Sequence, residues 1–326
     1  MKTVIIVLNW NNWEATLKCV QSLRDKVLKP GRAIVVVDNN SSDESGTHLG
    51  RHLNLDSLPA GPHTFGSIDQ RAFFLQSPVN CGYAGGNNLA IRHLLDAGCD
   101  FDSVWIVNND TLVRDDALTP LQSEMASSET TGFVGSILVN DDWHTIQCVG
   151  GTVGFPAIGL LWSCKDASHF QRQFTGSVFR RTPFITGASM LVSRAVIEAI
   201  GLMKESYFLY YEEVDWQLRG LSRGFDIRIG TRSVLSHAIS CSVGHKSDFF
   251  YFVFSRSCVL FVRDNYGRYF CYISIAWLLM NCLVKTRSWS KVASCWRGAR
   301  YALTRSEHDL DHPMFRKIGA AFTRPV

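Results

Sequence analysis

Glu212, Glu213 and Asp215 crowd three carboxylates into four residues, and Tyr207 to Tyr211 give them an aromatic approach. Mutual repulsion and partial burial raise the pKa of at least one acid in such a group, which suits a general base. Asn108-x-Asp110 follows an apolar run and can present oxygen ligands to Mg²⁺ or Mn²⁺, the hard cations that bridge diphosphates. His237 comes after two strand-like runs, and its imidazole could complete a metal site with Asp110. Asp38 ends the run Ala33-Ile34-Val35-Val36-Val37 and can accept from a base N–H or a ribose hydroxyl, with Asn39 and Asp43 in the same turn. The segment Asn80-Cys81-Gly82-Tyr83-Ala84-Gly85-Gly86-Asn87-Asn88 offers glycines that let backbone approach a ligand and amides at a helix N-terminus. A grip on a nucleoside, neutralisation of a diphosphate and a base for a hydroxyl are what transfer from a nucleotide sugar requires.

Each group has a plainer reading. Asp38 suits a turn or helix cap, Asn108-Asn109-Asp110-Thr111 a cap, the acidic cluster a solvated face paired with Arg219, and His237 a structural role. The order in which they occur along the chain favours the chemical reading. The glycine segment is not a dinucleotide loop, because Gly82 is followed by Gly85 and Gly86 without G-x-G-x-x-G spacing and no acid closes a second strand at the expected interval.

Alternating strands and helices must hold these residues. Thr3 to Leu8 is a continuous β-branched run, Glu14 to Leu23 has helical spacing, and further strands end at Asp38, before Asn80 and at Asn108. Short strands apolar on both faces predict an α/β, Rossmann-like, mostly parallel sheet flanked by helices, with ligands at the carboxyl ends of the strands. Residues 132–183, rich in Gly, are expected to form short strands and loops lining an acceptor cleft. Ala188 to Ile200 and Tyr211 to Leu221 read as helices, and a strand returns at Gly224 to Ile227.

The 326 residues suit one large domain, or one of about 200–250 residues with an appendage. A formal charge of +4 gives little support for nucleic-acid binding. Ten cysteines without a C-x-x-C pair argue against a zinc cluster or a disulfide scaffold and fit a reducing, cytosol-facing compartment. The N-terminal apolar run breaks at Asn9-Trp10-Asn11-Asn12 without a cleavage site and reads as a buried strand rather than a signal peptide. From Phe249 the chain turns apolar and aromatic, and Tyr269 to Val284 carries no charge between basic flanks. That run is short of the ~20 residues that span a bilayer, so a helical hairpin in the membrane interface is expected, with helices covering the core as the alternative. The division expected is a catalytic domain over 1–248 and a helical region over 249–326.

In combination these residues resemble the family-2 glycosyltransferases of GT-A fold, especially the rhamnosyltransferase-like branch of bacterial surface polysaccharide synthesis. The resemblance is carried by Asn80 to Asn88, Asn108 to Thr111, and Phe184-Ile185-Thr186-Gly187-Ala188-Ser189-Met190-Leu191-Val192 through Tyr210-Tyr211-Glu212-Glu213-Val214-Asp215. It implies that Asp38 and Asn39 contact base and ribose beside Asn9 and Asn11, with Asn80, Gly85, Asn87, Asn109 and Gly187 completing the donor site. It also implies that Asp110, with His237 and Asn108, holds Mg²⁺ or Mn²⁺, and that Glu213 is the base, with Glu212 and Asp215 beside it. Trp216, an indole where relatives carry an aliphatic residue, is expected to narrow the acceptor site. The expected activity is inverting transfer of a sugar to a glycan or lipid-linked glycan, peripheral on the cytoplasmic face of the inner membrane. Expected donors are dTDP-rhamnose first, then a UDP-hexose, N-acetylhexosamine or galactofuranose. A silent nucleotide-binding scaffold subunit is the alternative from another class.

Overall fold

The protein is seen in a computed structural model that describes residues 1–59, 61–155, 158–166, 182–238 and 247–304. In its first half β1 (Thr3–Asn9), α1 (Trp13–Lys26), β2 (Arg32–Asp38), α2 (Ser45–Leu53), β3 (Asp56–Ser57), α3 (Phe65–Ile68), β4 (Ala72–Gln76), α4 (Gly82–Asp96), β5 (Ser103–Asn108), β6 (Thr111–Leu112), α5 (Leu118–Met125) and β7 (Thr131–Val139) follow one another. Then come β8 (Ile146–Cys148), β9 (Gly150–Phe155), β10 (Leu160–Cys164), β11 (Thr182–Phe184), β12 (Ser189–Ser193), α6 (Arg194–Ile200), α7 (Glu212–Ser222) and β13 (Asp226–His237). The described chain closes with α8 (Asp248–Tyr266), α9 (Arg268–Thr286) and α10 (Trp289–Thr304).

The main sheet runs β3-β4-β2-β1-β5-β12-β7-β13-β6, with β8 against β7, and a small sheet pairs β10-β9-β11. Strands β1, β2, β4 and β5 are parallel, which puts Asn9 opposite Asp38 and Leu8 opposite Asn108 at one sheet edge. Alternation along β1 feeds both faces. Val4 and Ile6 pack with Ala84, Ile91 and Leu94 of α4, whereas Ile5 and Val7 pack with Cys19, Val20 and Leu23 of α1. Burial on both faces is why these strands read as unbroken apolar runs.

Two stretches differ from expectation. Residues 132–183 include β7, a nine-residue strand in the main sheet. Its Gly132 and Gly135 are packing sites: a Cβ at Gly135 would stand 2.7 Å from Ile185 Cγ2. Residues 189–193 are not helical but form β12, antiparallel to both β5 and β7, and the helix begins only at Arg194. Ser193 caps it, accepting from the Val196 N–H.

The apolar C-terminal segments form three helices rather than a hairpin. The first, α8, is a core helix: Phe252, Val253 and Cys258 to Val262 are buried and pack with Tyr207, Tyr211 and Val214. It also carries Arg256, 1% exposed, which donates to the Ser206 and Tyr207 carbonyls. The outer face of α9 is different. Tyr269, Tyr272, Ile273, Met280, Leu283 and Val284 recur at helical spacing and are exposed. Among the described residues, α9 is the one helix long and apolar enough to cross a membrane.

Candidate active site

The site is assembled at the carboxyl edge of the parallel strands. Asp38 is 1% exposed, and its carboxylate accepts from Asn9 Nδ2 at 2.7 Å, Ser41 Oγ at 2.5 Å, the Ser41 N–H at 3.1 Å and Gln76 Nε2 at 2.8 Å. Those bonds close the 38–42 turn. Asn11, at φ +50°, holds the same turn from below by accepting the Ser42 N–H at 2.7 Å. Asn39 reaches across to the glycine segment, donating to Asn80 Oδ1 and the Gly82 carbonyl and accepting the Cys81 N–H, each at 3.0 Å. A chain of polar contacts then leads along the edge: Asn109 Nδ2 donates to Thr16 Oγ1 at 2.9 Å, and Thr16 donates to Asn9 Oδ1 at 2.6 Å. Asn9, Asn11, Asp38, Asn39, Asn80 and Asn109 are thus one connected floor.

The α4 N-terminus meets a second, strained segment. Gly82 has φ +71°, and a Cβ there would stand 2.2 Å from the Phe208 carbonyl, which accepts the Tyr83 N–H at 2.7 Å. Phe208, Tyr210 and Tyr211 all have φ between +65° and +71°, a conformation that costs non-glycine residues on the order of 1 kcal/mol or more each. The kink turns the chain so that α7 starts inside the cleft. Gly85 is a close-packed position, since a Cβ on it would meet Cys81 Cβ at 2.4 Å. Asn87 is buried, bonds back to the Tyr83 carbonyl and leaves Oδ1 without a hydrogen-bond partner among the described residues.

Pairing of β13 with β6 aligns His237 with Thr111 and brings the imidazole to the Asn108–Asp110 turn. His237 Nε2 lies 3.3 Å from Asp110 Oδ1 and 3.5 Å from Asn108 Nδ2. Gln147 decides which imidazole nitrogen carries the proton. Its Nε2 donates to the His237 carbonyl at 3.2 Å, so its Oε1 faces Nδ1 at 2.7 Å and can only accept. Nδ1 therefore carries a proton, and Nε2 is the nitrogen turned to Asp110. Two ligands at right angles on a cation ~2.1 Å away stand about 3 Å apart. A carboxylate and an imidazole nitrogen 3.3 Å apart, with the Asn108 amide beside them, fit a divalent ion of the Mn²⁺ or Mg²⁺ kind. No group of three or more His, Cys, Asp and Glu converges among the described residues, so the amide would have to serve. An open hollow of about 330 Å³ in front of His237 is bounded by Asn140, Asp141 and Asp142.

Tyr83 joins the two halves. Its hydroxyl donates to the Gly187 carbonyl at 2.6 Å, and burial, then the charges of Glu213, Glu212 and Asp110, hold its pKa far above the ordinary phenol value. Glu212 is 3% exposed with Oε2 unpartnered among the described residues, and burial reinforced by Glu213 keeps its pKa well up. Glu213 is partly exposed, and burial against a few backbone N–H contacts raises it to about 7. An acid that sheds its proton near neutrality at the edge of a cleft is a competent general base. Asp215 is a correction: it faces away, 0% exposed, and receives Arg219 Nε at 2.9 Å, Lys204 Nζ at 3.1 Å and Asn265 Nδ2 at 3.2 Å. Trp216 is a second correction, a core indole set edge-on to Phe133 and donating to the Gly201 carbonyl.

Two residues escaped the sequence reading. Gln147 gave no signal, being a single amide in the three-residue strand β8. Gln217 is four residues after Glu213 on the buried side of α7, and its side chain bonds both the N–H and the carbonyl of Ile185, at 2.7 and 2.8 Å. That helical spacing could have identified it as the link between α7 and the Gly187 segment.

The chain matches the model of glycosyl transferase family 2 over residues 4–201. It is 27% identical over 234 residues to the low-salt glycan biosynthesis hexosyltransferase Agl10 of Haloferax volcanii, covering 71% of this chain and 64% of that protein. It is 23% identical over 164 residues to the dTDP-rhamnosyl transferase RfbF of Shigella flexneri, covering 49% of this chain and 50% of that protein. This chain therefore spans less than two thirds of the length of either relative. Among solved structures it resembles the mannosyltransferase PcManGT from Pyrobaculum calidifontis, in complex with GDP-Man and Mn²⁺, with a TM-score of 0.54 and 14% identity over 98% of this chain and 85% of that one. That likeness carries the fold, which is of GT-A type, and the family match shows that the chain belongs to glycosyl transferase family 2.

Proposed function

We propose that the chain is an inverting glycosyltransferase that moves a hexose from a nucleotide sugar to a hydroxyl of a glycan or lipid-linked glycan. The observation that carries this is Glu213, held near pKa 7 in the cleft that Asp110 and His237 share across Tyr83. The floor from Asn9 to Asn80 would take the nucleoside. Glu213 takes the proton of the acceptor hydroxyl as its oxygen attacks the anomeric carbon from the face opposite the nucleotide. The bond to the diphosphate oxygen breaks with its electron pair, and the configuration inverts. Asp110, His237 and Asn108 would hold a divalent cation, which when bound offsets the charge that builds on the departing diphosphate. Gly187 and Tyr83 border the sugar between these groups.

The names of the two relatives support a hexose, and that of the second makes dTDP-rhamnose the first donor to test, before UDP-hexoses, N-acetylhexosamine and galactofuranose donors. The exposed apolar face of α9, with Trp289 and Trp296 on α10 and basic residues at Lys285, Arg287, Arg297 and Arg300, supports contact with the cytoplasmic face of a membrane.

Glu213→Gln is expected to reduce turnover by at least about a thousandfold while donor binding, read as a thermal shift with Mn²⁺ and each nucleotide sugar, is retained. Unchanged turnover would remove Glu213 from the mechanism. Failure of every donor to shift the wild-type melt, together with absence of transfer, would favour the silent scaffold subunit.

A further inference from the structure

We propose that the hollow between α8, α9, α10 and the β9–β10 hairpin binds the hydrocarbon chain of a lipid phosphate, the lipid end of the acceptor. The hollow has a volume of about 340 Å³ and is walled by Leu161, Phe250, Phe254, Trp277, Leu278 and Cys295. That volume is within the range of ligand pockets and holds about ten non-hydrogen atoms at the ~30 Å³ each water takes in the liquid.

Its lining carries a cation at the mouth. Lys285 is exposed there beside Asn281, Lys291 stands with Nζ 5.8 Å from the ring centre of Tyr251, and no carboxylate is among the described lining residues, although the charge of Asp248 also reaches the lining Cys282. An apolar interior with a cationic, amide-bearing mouth matches a hydrocarbon chain ending in phosphate and does not match a free sugar. Met280, Leu283 and Val284, on the exposed stripe of α9, alternate with the mouth residues Asn281 and Lys285. A chain could therefore pass from bilayer to hollow along one helix.

The inner wall connects to the chemistry. Tyr211 lines the hollow, is pinned by its hydroxyl to the Gly159 carbonyl at 2.8 Å, and immediately precedes Glu212 and Glu213. Tyr210 stands edge-on to the lining rings of Phe250 and Phe254, at 5.6 and 5.8 Å. Occupancy of the hollow would thus bear on the segment that sets the catalytic pair.

The inference rests on the reading of the acceptor as lipid-linked, and the test separates the two. Farnesyl phosphate, titrated calorimetrically below its micelle-forming concentration into the whole chain, should bind saturably at one site. Asn281→Phe, which fills the mouth, and Lys285→Ser, which removes the cation, should each weaken it about tenfold, with melting curves verifying that both variants fold. Farnesol should bind more weakly than farnesyl phosphate, and inorganic pyrophosphate should not compete. No binding by the wild type, or binding by both variants as tight as by the wild type, overturns the proposal, as does pyrophosphate displacing the probe. Sugar transfer to a lipid-linked acceptor that proceeds undiminished in Asn281→Phe also overturns the hollow and leaves the transfer reading standing. Farnesyl phosphate binding with the expected variant losses, but no transfer to any lipid-linked acceptor, upholds the hollow and sinks the transfer reading.

Discussion

Glu212 and Glu213 are neighbours that their surroundings divide. Glu212 is enclosed, and burial beside Glu213 pushes its pKa well up; Glu213 opens to the cleft, with its pKa raised to about 7. Turnover should therefore rise with pH through about 7 as Glu213 becomes a base, and a pH–rate profile without that limb would contradict the assignment. The same shift affects stability. Because the folded-state pKa is raised above the ordinary carboxylate value of about 4.5, folding favours the protonated acid, so its contribution is fully present below about pH 4.5, shrinks as pH rises to about 7 and is flat beyond. Glu213→Gln should accordingly melt higher than the wild type at pH 8 and alike at pH 4, a gain of roughly 1–3 kcal/mol given the partial exposure. His237 depends on a partner in the same way. Gln147→Leu removes the acceptor at Nδ1 and is expected to weaken Mn²⁺ binding, measured by electron paramagnetic resonance without donor, by about 10–100-fold, with Gln147→Glu restoring most of it. The positions of Asp110, His237 and Glu213 stood out in the chain because each lies at or beside the end of an element. Gln147 was not, because its role exists only once β8 lies against β7 and β13 beside it.

Within α7, the first turn opens Glu213 to the cleft and encloses Glu212, while Asp215 and Gln217 turn inward, so one helix both carries the proposed base and anchors itself. Sequence reading placed three acids together but could not divide them by face, since the division depends on Lys204 and Asn265 arriving from elsewhere. Asp215→Ala is expected to destabilise the fold by about 1.5–3 kcal/mol, as it removes the buried carboxylate that Arg219 and Lys204 share and leaves Lys204 to Asp264 alone, yet to leave turnover per folded molecule near wild type in a titrated assay. Equal loss of turnover and stability would return Asp215 to the chemistry. The parallel strands were legible for the reason that they are buried on both faces. β12 was not: Ser189 to Ser193 runs straight into α6, and a short apolar run before a helix has no period of its own. β7 was hidden by glycines that make room for Ile185, Val196 and Phe225.

At the scale of the molecule, the C-terminal helices are two things at once. α8 completes the core beneath Tyr207 and Tyr211, whereas α9 and α10 offer an apolar and basic outer surface. Deleting the helices would open the core, so substitution is the cleaner test of membrane contact. Met280→Asp with Val284→Glu, both on exposed positions, should reduce flotation with anionic liposomes severalfold at unchanged melting temperature; equal flotation would remove the membrane reading. The place of β12 in the sheet also has a consequence for synthesis. The free side of β5 is closed by a strand about eighty residues later in the chain, so a polypeptide emerging from the ribosome displays Val104, Trp105, Ile106 and Val107 along an open hydrogen-bonding edge until Ser193 has appeared. During that interval the chain depends on a chaperone or on speed of translation to avoid pairing with another copy of itself.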